Sequence, residues 1–134
     1  MELSAAHLRY LLAIYEAAAT QRDISSRTIA ERLGVTRPSV ARALGQLMER
    51  GMIVKAYYGK IYLTDRGVFV ARRVQRQVEC VLEHFPPVSP GTALTADERR
   101  HAALALTAAL PERAFTGEYQ RLFGPDASDE AANG

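Results

Sequence analysis

Ser25-Ser-Arg-Thr-Ile-Ala-Glu-Arg-Leu-Gly34-Val-Thr-Arg-Pro-Ser-Val-Ala-Arg-Ala-Leu44 decides how this chain folds. A short helix over Arg27 to Leu33 meets Gly34, the residue that takes a left-handed conformation most easily, and stops there. Val35 and Thr36 lead directly into a second helix. Thr36 is placed to cap it, and Pro38 sits in its first turn, where a missing N–H costs nothing. Val40, Leu44, Leu47 and Met48 recur at helical spacing as a buried stripe, which leaves Arg37, Ser39 and Arg42 on the opposite side. Two helices joined by so short a turn form a helix-turn-helix. Short polar and guanidinium groups at the start of its second helix are the types that reach base edges in the major groove. The expected DNA-binding set is therefore Thr36, Arg37, Pro38, Ser39 and Arg42, with Arg27 on the preceding helix.

Downstream, Ile53-Val-Lys-Ala-Tyr-Tyr-Gly-Lys-Ile-Tyr-Leu-Thr64 is rich in β-branched and aromatic residues and turns near Tyr58-Gly59, which predicts a two-stranded wing. Tyr57, Tyr58 and Lys60 at its tip are of the kind that touch the sugar-phosphate backbone or minor groove, and equally of the kind that pair across a hairpin. Tyr58 and Lys60 join the expected DNA-binding set. Upstream, a helix from about Ala5 to Ala19 places Leu8, Leu11, Leu12 and Tyr15 on one face. After the wing, Thr64 caps a long helix carrying Val70, Val74, Val78, Val81, Leu82 and Phe85, and Pro86-Pro87 ends it. Arg72, Arg73 and Arg76 on that helix read as a solvated face or as phosphate contacts. Pro90-Gly91 marks a linker, and Thr95-Ala-Asp-Glu98 is a capping box that opens a helix through about Leu110. A last short helix is expected over Glu118 to Phe123. The tail is poor in large apolar side chains and expected to be disordered. The predicted class is thus mainly α: a winged helix-turn-helix DNA-binding domain over 1–66, a long linker helix with a helical dimerisation region over 67–123, and a tail over 124–134.

A chain of 134 residues, 48% hydrophobic, can bury one sizeable core but hardly two full domains. No apolar run reaches membrane-spanning length and no signal peptide opens the chain, so a cytoplasmic location without membrane contact is expected. Cys80 is the single cysteine, which precludes an internal disulfide and agrees with a reducing compartment. The formal net charge of +2 hides an asymmetry. Residues 1–85 hold 13 Lys plus Arg against 8 Asp plus Glu, whereas residues 86–134 hold 4 against 7. Basic charge thus gathers on the segment that reads as a DNA binder, as phosphate neutralisation requires.

Ile29-Ala-Glu-Arg-Leu-Gly-Val35, Pro38-Ser-Val40, Leu47-Met-Glu-Arg-Gly51, Leu63-Thr-Asp-Arg-Gly67 and the Arg-rich helix after it together resemble the diphtheria toxin repressor and manganese transport regulator family. The match runs over roughly residues 5–123. Its helix-turn-helix part is shared with other winged-helix groups, MarR-like proteins among them. More telling are the long helix directly after the wing, the Pro-containing break and the short helical region beyond. The resemblance implies a homodimeric transcription factor, often a repressor, whose affinity for a palindromic operator in double-stranded DNA rises when manganese or ferrous iron binds. The resemblance leads one to expect a short, manganese-type member without the SH3-like domain of the longer ones.

The family's metal pattern departs from this chain. It wants carboxylates, or a Met and a carboxylate, on the first helix, where Arg9 and Leu12 stand. It wants a His on the long helix at Val78, and in some members a Glu at Leu82. The closing cluster of carboxylate or Cys, two spacers, Glu and His meets Asp97-Glu-Arg-Arg-His101, so only Asp97 and His101 match. Arginines where carboxylates belong repel a cation. No metal cofactor is therefore expected, and the former pocket, lined by Leu12, Val78 and Leu82, should be apolar, packed shut or open to a small organic ligand as in MarR-like regulators. The alternative is manganese or iron(II) at a remodelled site using Asp97, Glu98 and His101, with Cys80 and His84 nearby. Cys80, however, lies about 200° around the helix from Val78 and points elsewhere. It reads better as a gap filler, and His84 as a helix-terminal charge.

An enzyme lacks its parts here, since there is no Gly-rich phosphate loop and no nucleophile and base set. A winged helix that holds protein partners is the rival from another class, and Arg37, Ser39 and Arg42 on one exposed face favour DNA over it. Leu94, Leu104, Leu106 and Leu110 give the 94–110 helix more apolar surface than it can hide alone, and they are the expected dimer contact.

Overall fold

Hydroxyl caps start each of the five α-helices among the residues that the computed structural model describes, 3–21, 23–84 and 93–115. Helix α1 (Ala5–Thr20) begins after Ser4, whose hydroxyl accepts the His7 N–H. Helix α2 (Ser26–Leu33) begins after Ser25, where Ser25 and Thr28 cap each other's N–H. It starts one residue earlier than the sequence reading and ends at Gly34, which takes φ 64°. Helix α3 (Arg37–Glu49) follows Thr36, whose hydroxyl accepts the Ser39 N–H at 3.4 Å. Each such cap stabilises its helix by about 0.5–2 kcal/mol.

Strands β1 (Ile53–Lys55) and β2 (Ile61–Leu63) pair antiparallel with Ile53 opposite Leu63 and Val54 opposite Tyr62. The connection closes with the Ala56 N–H on the Lys60 carbonyl, and Gly59 takes φ 90°. Helix α4 (Asp65–Glu83) follows the Thr64 cap, and α5 (Ala96–Ala109) follows the expected capping box of Thr95 and Glu98. A short 3-10 turn over Glu112–Phe115, which periodicity did not reveal, buries Phe115. Pro111 starts it, its carbonyl accepting the Ala114 N–H at 2.9 Å.

Two apolar clusters hold these elements. The first lies inside the winged helix and joins Leu11 and Ile14 of α1, Ile29 of α2, Leu44 and Leu47 of α3, and Ile53 and Ile61 of the wing. The second joins Leu8 and Leu12 of α1 to Val74 and Val78 of α4 and Ala103 and Leu104 of α5. Helix α1 serves both because the stripe of positions 8 and 12 lies roughly 100–120° around the helix from that of 11 and 14. Each fully buried Leu or Ile contributes about 1.5–3 kcal/mol.

Several expectations need correction. Met48 is 39% exposed, because it lies about 80° around α3 from Val40, at the flank of the stripe that Val40, Leu44 and Leu47 bury. Leu104 is only 6% exposed within its own chain, since it faces α1 and α4 in the second cluster. It is therefore withdrawn from the expected dimer contact. Phe85, the 86–91 break, the helix at 118–123 and the tail fall outside the described residues. Among the described residues no helix is long and apolar enough to cross a membrane.

Candidate nucleic-acid interface

Thr36, Arg37, Pro38, Ser39 and Arg42 are all exposed at the start of α3, while Val40 between them is fully buried and anchors the helix. The hydroxyls of Thr36 and Ser39 lie 2.9 Å apart and hydrogen-bond, which fixes both at the helix start. Among the described residues neither Arg37 nor Arg42 enters an ion pair. Two guanidinium groups thus stand beside a helix N-terminus with no carboxylate to hold them, an arrangement suited to phosphate oxygens and base edges. Arg27, by contrast, pairs with Glu31 one turn on at 3.0 Å, both well exposed.

The wing is internally tied. The Tyr58 and Tyr62 hydroxyls lie 2.9 Å apart, and the Lys60 ammonium sits 3.1 Å from Asp23 and 5.1 Å from the centroid of the Tyr62 ring. The hydrogen bond between the tyrosines raises the Tyr58 pKa and lowers that of Tyr62, as expected when Tyr58 donates. Asp23 raises the Lys60 pKa. Lys60 therefore directs its charge to Asp23, in the segment between α1 and α2. The projecting side chain is Tyr57, fully exposed and edge-on to Tyr58 with ring centroids 5.1 Å apart. Its position at the turn was legible, but the alternation of the strands says nothing about which tip residue projects.

The arginines of α4 tie the fold together. The Arg72 Nε donates to the Tyr15 hydroxyl at 3.2 Å, Arg73 pairs with Glu112 beyond α5, and Arg76 is engaged as well. Neither of the two sequence readings, solvated face or phosphate contact, foresaw these cross-links, because both partners lie on other elements.

The side chains at the positions where the resemblance leads one to expect metal ligands have other occupations. Arg9 donates to the Leu33 carbonyl at 3.2 Å, at the end of α2. Leu12 and Val78 are packed into the second cluster with Leu82 against it. Arg100 pairs with Glu16. The Glu98 carboxylate accepts the Thr95 N–H at 2.9 Å, and that bond holds its pKa below the usual carboxylate range. Asp97 and His101 are exposed, and His84 Nδ1 lies 2.8 Å from the Cys80 carbonyl, as at a helix end. Among the described residues no three His, Cys, Asp or Glu side chains are grouped to hold a metal. Manganese and ferrous iron want several oxygen or imidazole ligands together, so the residues present do not fit either ion.

Of the expected dimer residues, Leu106 and Leu110 are exposed at 42% and 39%, and Leu94 is half-buried.

These elements define a winged helix-turn-helix protein with two further helices packed on its back. Residues 3–84, more than half of the chain, match the family described as the HVO_A0261 N-terminal domain, and the chain belongs to that family. The structure of the manganese regulator SloR superposes with a TM-score of 0.66 at 23% identity, covering 93% of this chain and 56% of that one. A manganese-dependent transcriptional repressor in complex with manganese gives 0.64 at 27% identity, with 89% and 53% covered. A hypothetical protein from Sulfolobus solfataricus, SSo2273, gives 0.62 at 20% identity and 92% coverage of both chains. The chain thus has the fold of metal-dependent transcriptional regulators and spans a little over half their length. No curated protein matches it significantly in sequence.

Proposed function

We propose that this protein is a sequence-specific DNA-binding transcriptional repressor of the diphtheria toxin repressor and manganese regulator type, non-enzymatic and homodimeric, whose operator affinity is not switched by manganese or iron. The observation that carries this reading is the start of α3, where exposed Arg37 and Arg42 have no ion-pair partner among the described residues. Likeness of fold to metal-dependent transcriptional regulators supports it. In this reading residues 1–66 bind DNA, with Ser39, Thr36 and Pro38 shaping the reading end of α3 and Tyr58 beside Tyr57 at the wing. Residues 67–123 join two copies, and the cytoplasm is the site of action. The loss of metal control follows from chemistry: Arg9 and Arg100 are cations, and Leu12 and Val78 bring no donor atom.

The test is a gel shift with genomic fragments at low salt, with chelator and with millimolar manganese or ferrous iron. Specific complexes are expected, with affinities that agree within a few-fold across these conditions. Absence of any DNA complex sinks the regulator. A large gain with metal that His101→Ala abolishes overturns the metal-independent reading and restores Asp97, Glu98 and His101 as ligands.

A further inference from the structure

Between α1, α2 and α5 lies an open cleft of about 720 Å³, within the size range of small-molecule sites. Arg9, Arg32 and Arg100 line it, and the half-buried Leu33 and Ala102 contribute apolar surface. Glu16 stands in it with a side chain 29% exposed and is shared between two arginines: Arg32 donates to its Oε2 at 3.4 Å, and Arg100 to its Oε1. A guanidinium carries five donors in a fork that matches both oxygens of one carboxylate. Here each fork receives a single oxygen, so neither has its bidentate partner in Glu16. The other acids lining the cleft do not complete them, since Glu98 is turned to the Thr95 N–H and Asp97 is exposed in the first turn of α5.

We propose that this cleft is an effector site for a small organic acid, with its carboxylate held by the free faces of Arg32 and Arg100 and its apolar body laid against Leu33 and Ala102. The acid completes the forks that Glu16 half-fills. Arg32 belongs to the helix-turn-helix and Arg100 to the helix packed behind it, so one bound carboxylate strengthens a link between the two. A ligand that favours one arrangement of those helices shifts the DNA affinity by its differential affinity for the two states. This regulatory consequence rests on the DNA-binding reading above, whereas the site itself does not.

The experiment is calorimetry and thermal denaturation of the full chain with benzoate and octanoate, with benzamide and octanamide as neutral counterparts and inorganic phosphate as a bare anion. Both acids are expected to bind and raise the melting temperature, with amides and phosphate weaker by roughly tenfold or more. Arg32→Gln with Arg100→Gln should weaken acid binding by a similar factor. Glu16→Gln should strengthen it several-fold, because it removes the internal competitor, and this opposite sign separates a binding role from mere loss of folding. The proposal falls if neither acid binds, if phosphate or the amides bind as well as the acids, or if the arginine replacements leave affinity unchanged. A gel shift run alongside keeps the two readings apart. Protein that binds acid but no DNA retains the site and loses the regulator, and protein that binds DNA but neither acid loses the site alone.

Discussion

Arg42 and Gly67 show how differently single residues matter here. Arg42 lies one turn into α3, exposed and without an ion-pair partner among the described residues, so its removal costs the fold little. Arg42→Ala is expected to lose about 1–3 kcal/mol of specific DNA binding and to relax preference at one base pair. Equal losses on specific and random DNA would reduce it to a phosphate contact. Gly67 is buried in the first turn of α4, where an added Cβ would come within 2.0 Å of the Met52 carbonyl oxygen. That carbonyl also accepts the Thr64 N–H at 3.0 Å, so it cannot retreat without breaking the junction of wing and helix. Gly67→Ala should therefore destabilise by about 1–3 kcal/mol, as overpacking does, read as a lower urea midpoint with unchanged slope. An unshifted midpoint would mean the junction is looser than this contact.

Helix α5 depends on its cap. Its hydrophobic contacts run through Ala103 and Leu104, and its first turn is held by Thr95 and Glu98. The Thr95 N–H keeps the Glu98 carboxyl below its ordinary range. A carboxyl depressed on folding adds stability that is complete above its unfolded pKa, about 4.3, and lost as pH falls through the lower folded value. The stability advantage of the wild type over Glu98→Gln should thus be constant at and above neutral pH and shrink only in acid below the ordinary glutamate range. Urea midpoints of both proteins across pH check this, and an advantage that grows on acidification would contradict the cap. The wing is stiffened by one chain of contacts from Asp23, outside it, through Lys60 and Tyr62 to Tyr58, which braces a hairpin of three-residue strands.

At the scale of the molecule, α1 lies between the two apolar clusters and carries Glu16, which reaches both Arg32 of α2 and Arg100 of α5. The open side of α5 and the segment after it still shows Leu106 and Leu110, and Phe69 of α4 is 61% exposed. Apolar surface of this kind on a DNA-binding fold is expected to be covered by a second copy. Sedimentation should show a dimer at micromolar concentration, weakened by Leu106→Glu with Leu110→Glu, and a monomer would remove the basis for a two-fold operator. With a dimer, the operator should be an inverted repeat with half-sites about one or a few helical turns apart.

Much of this was written locally. The Thr36, Thr64 and Thr95 caps, the stop at Gly34, Pro38 in the first turn and the Gly59 hairpin are chosen by neighbouring residues, so their signals survive in one dimension, and the class and the exposed N-terminal end of α3 follow from them. The sequence by itself also determined that Arg9, Leu12, Val78 and Arg100 stand where the resemblance to manganese regulators leads one to expect metal ligands. Only the tertiary structure decided what those side chains do instead, because each meets a partner far along the chain: Arg9 the Leu33 carbonyl, Arg100 the Glu16 carboxylate, Arg73 the Glu112 carboxylate. For the same reason it alone withdrew Leu104 into the core, exposed Met48 and turned Lys60 toward Asp23. A helical period says which residues share a face, but which neighbour covers that face is set by packing between elements, and no local pattern encodes it.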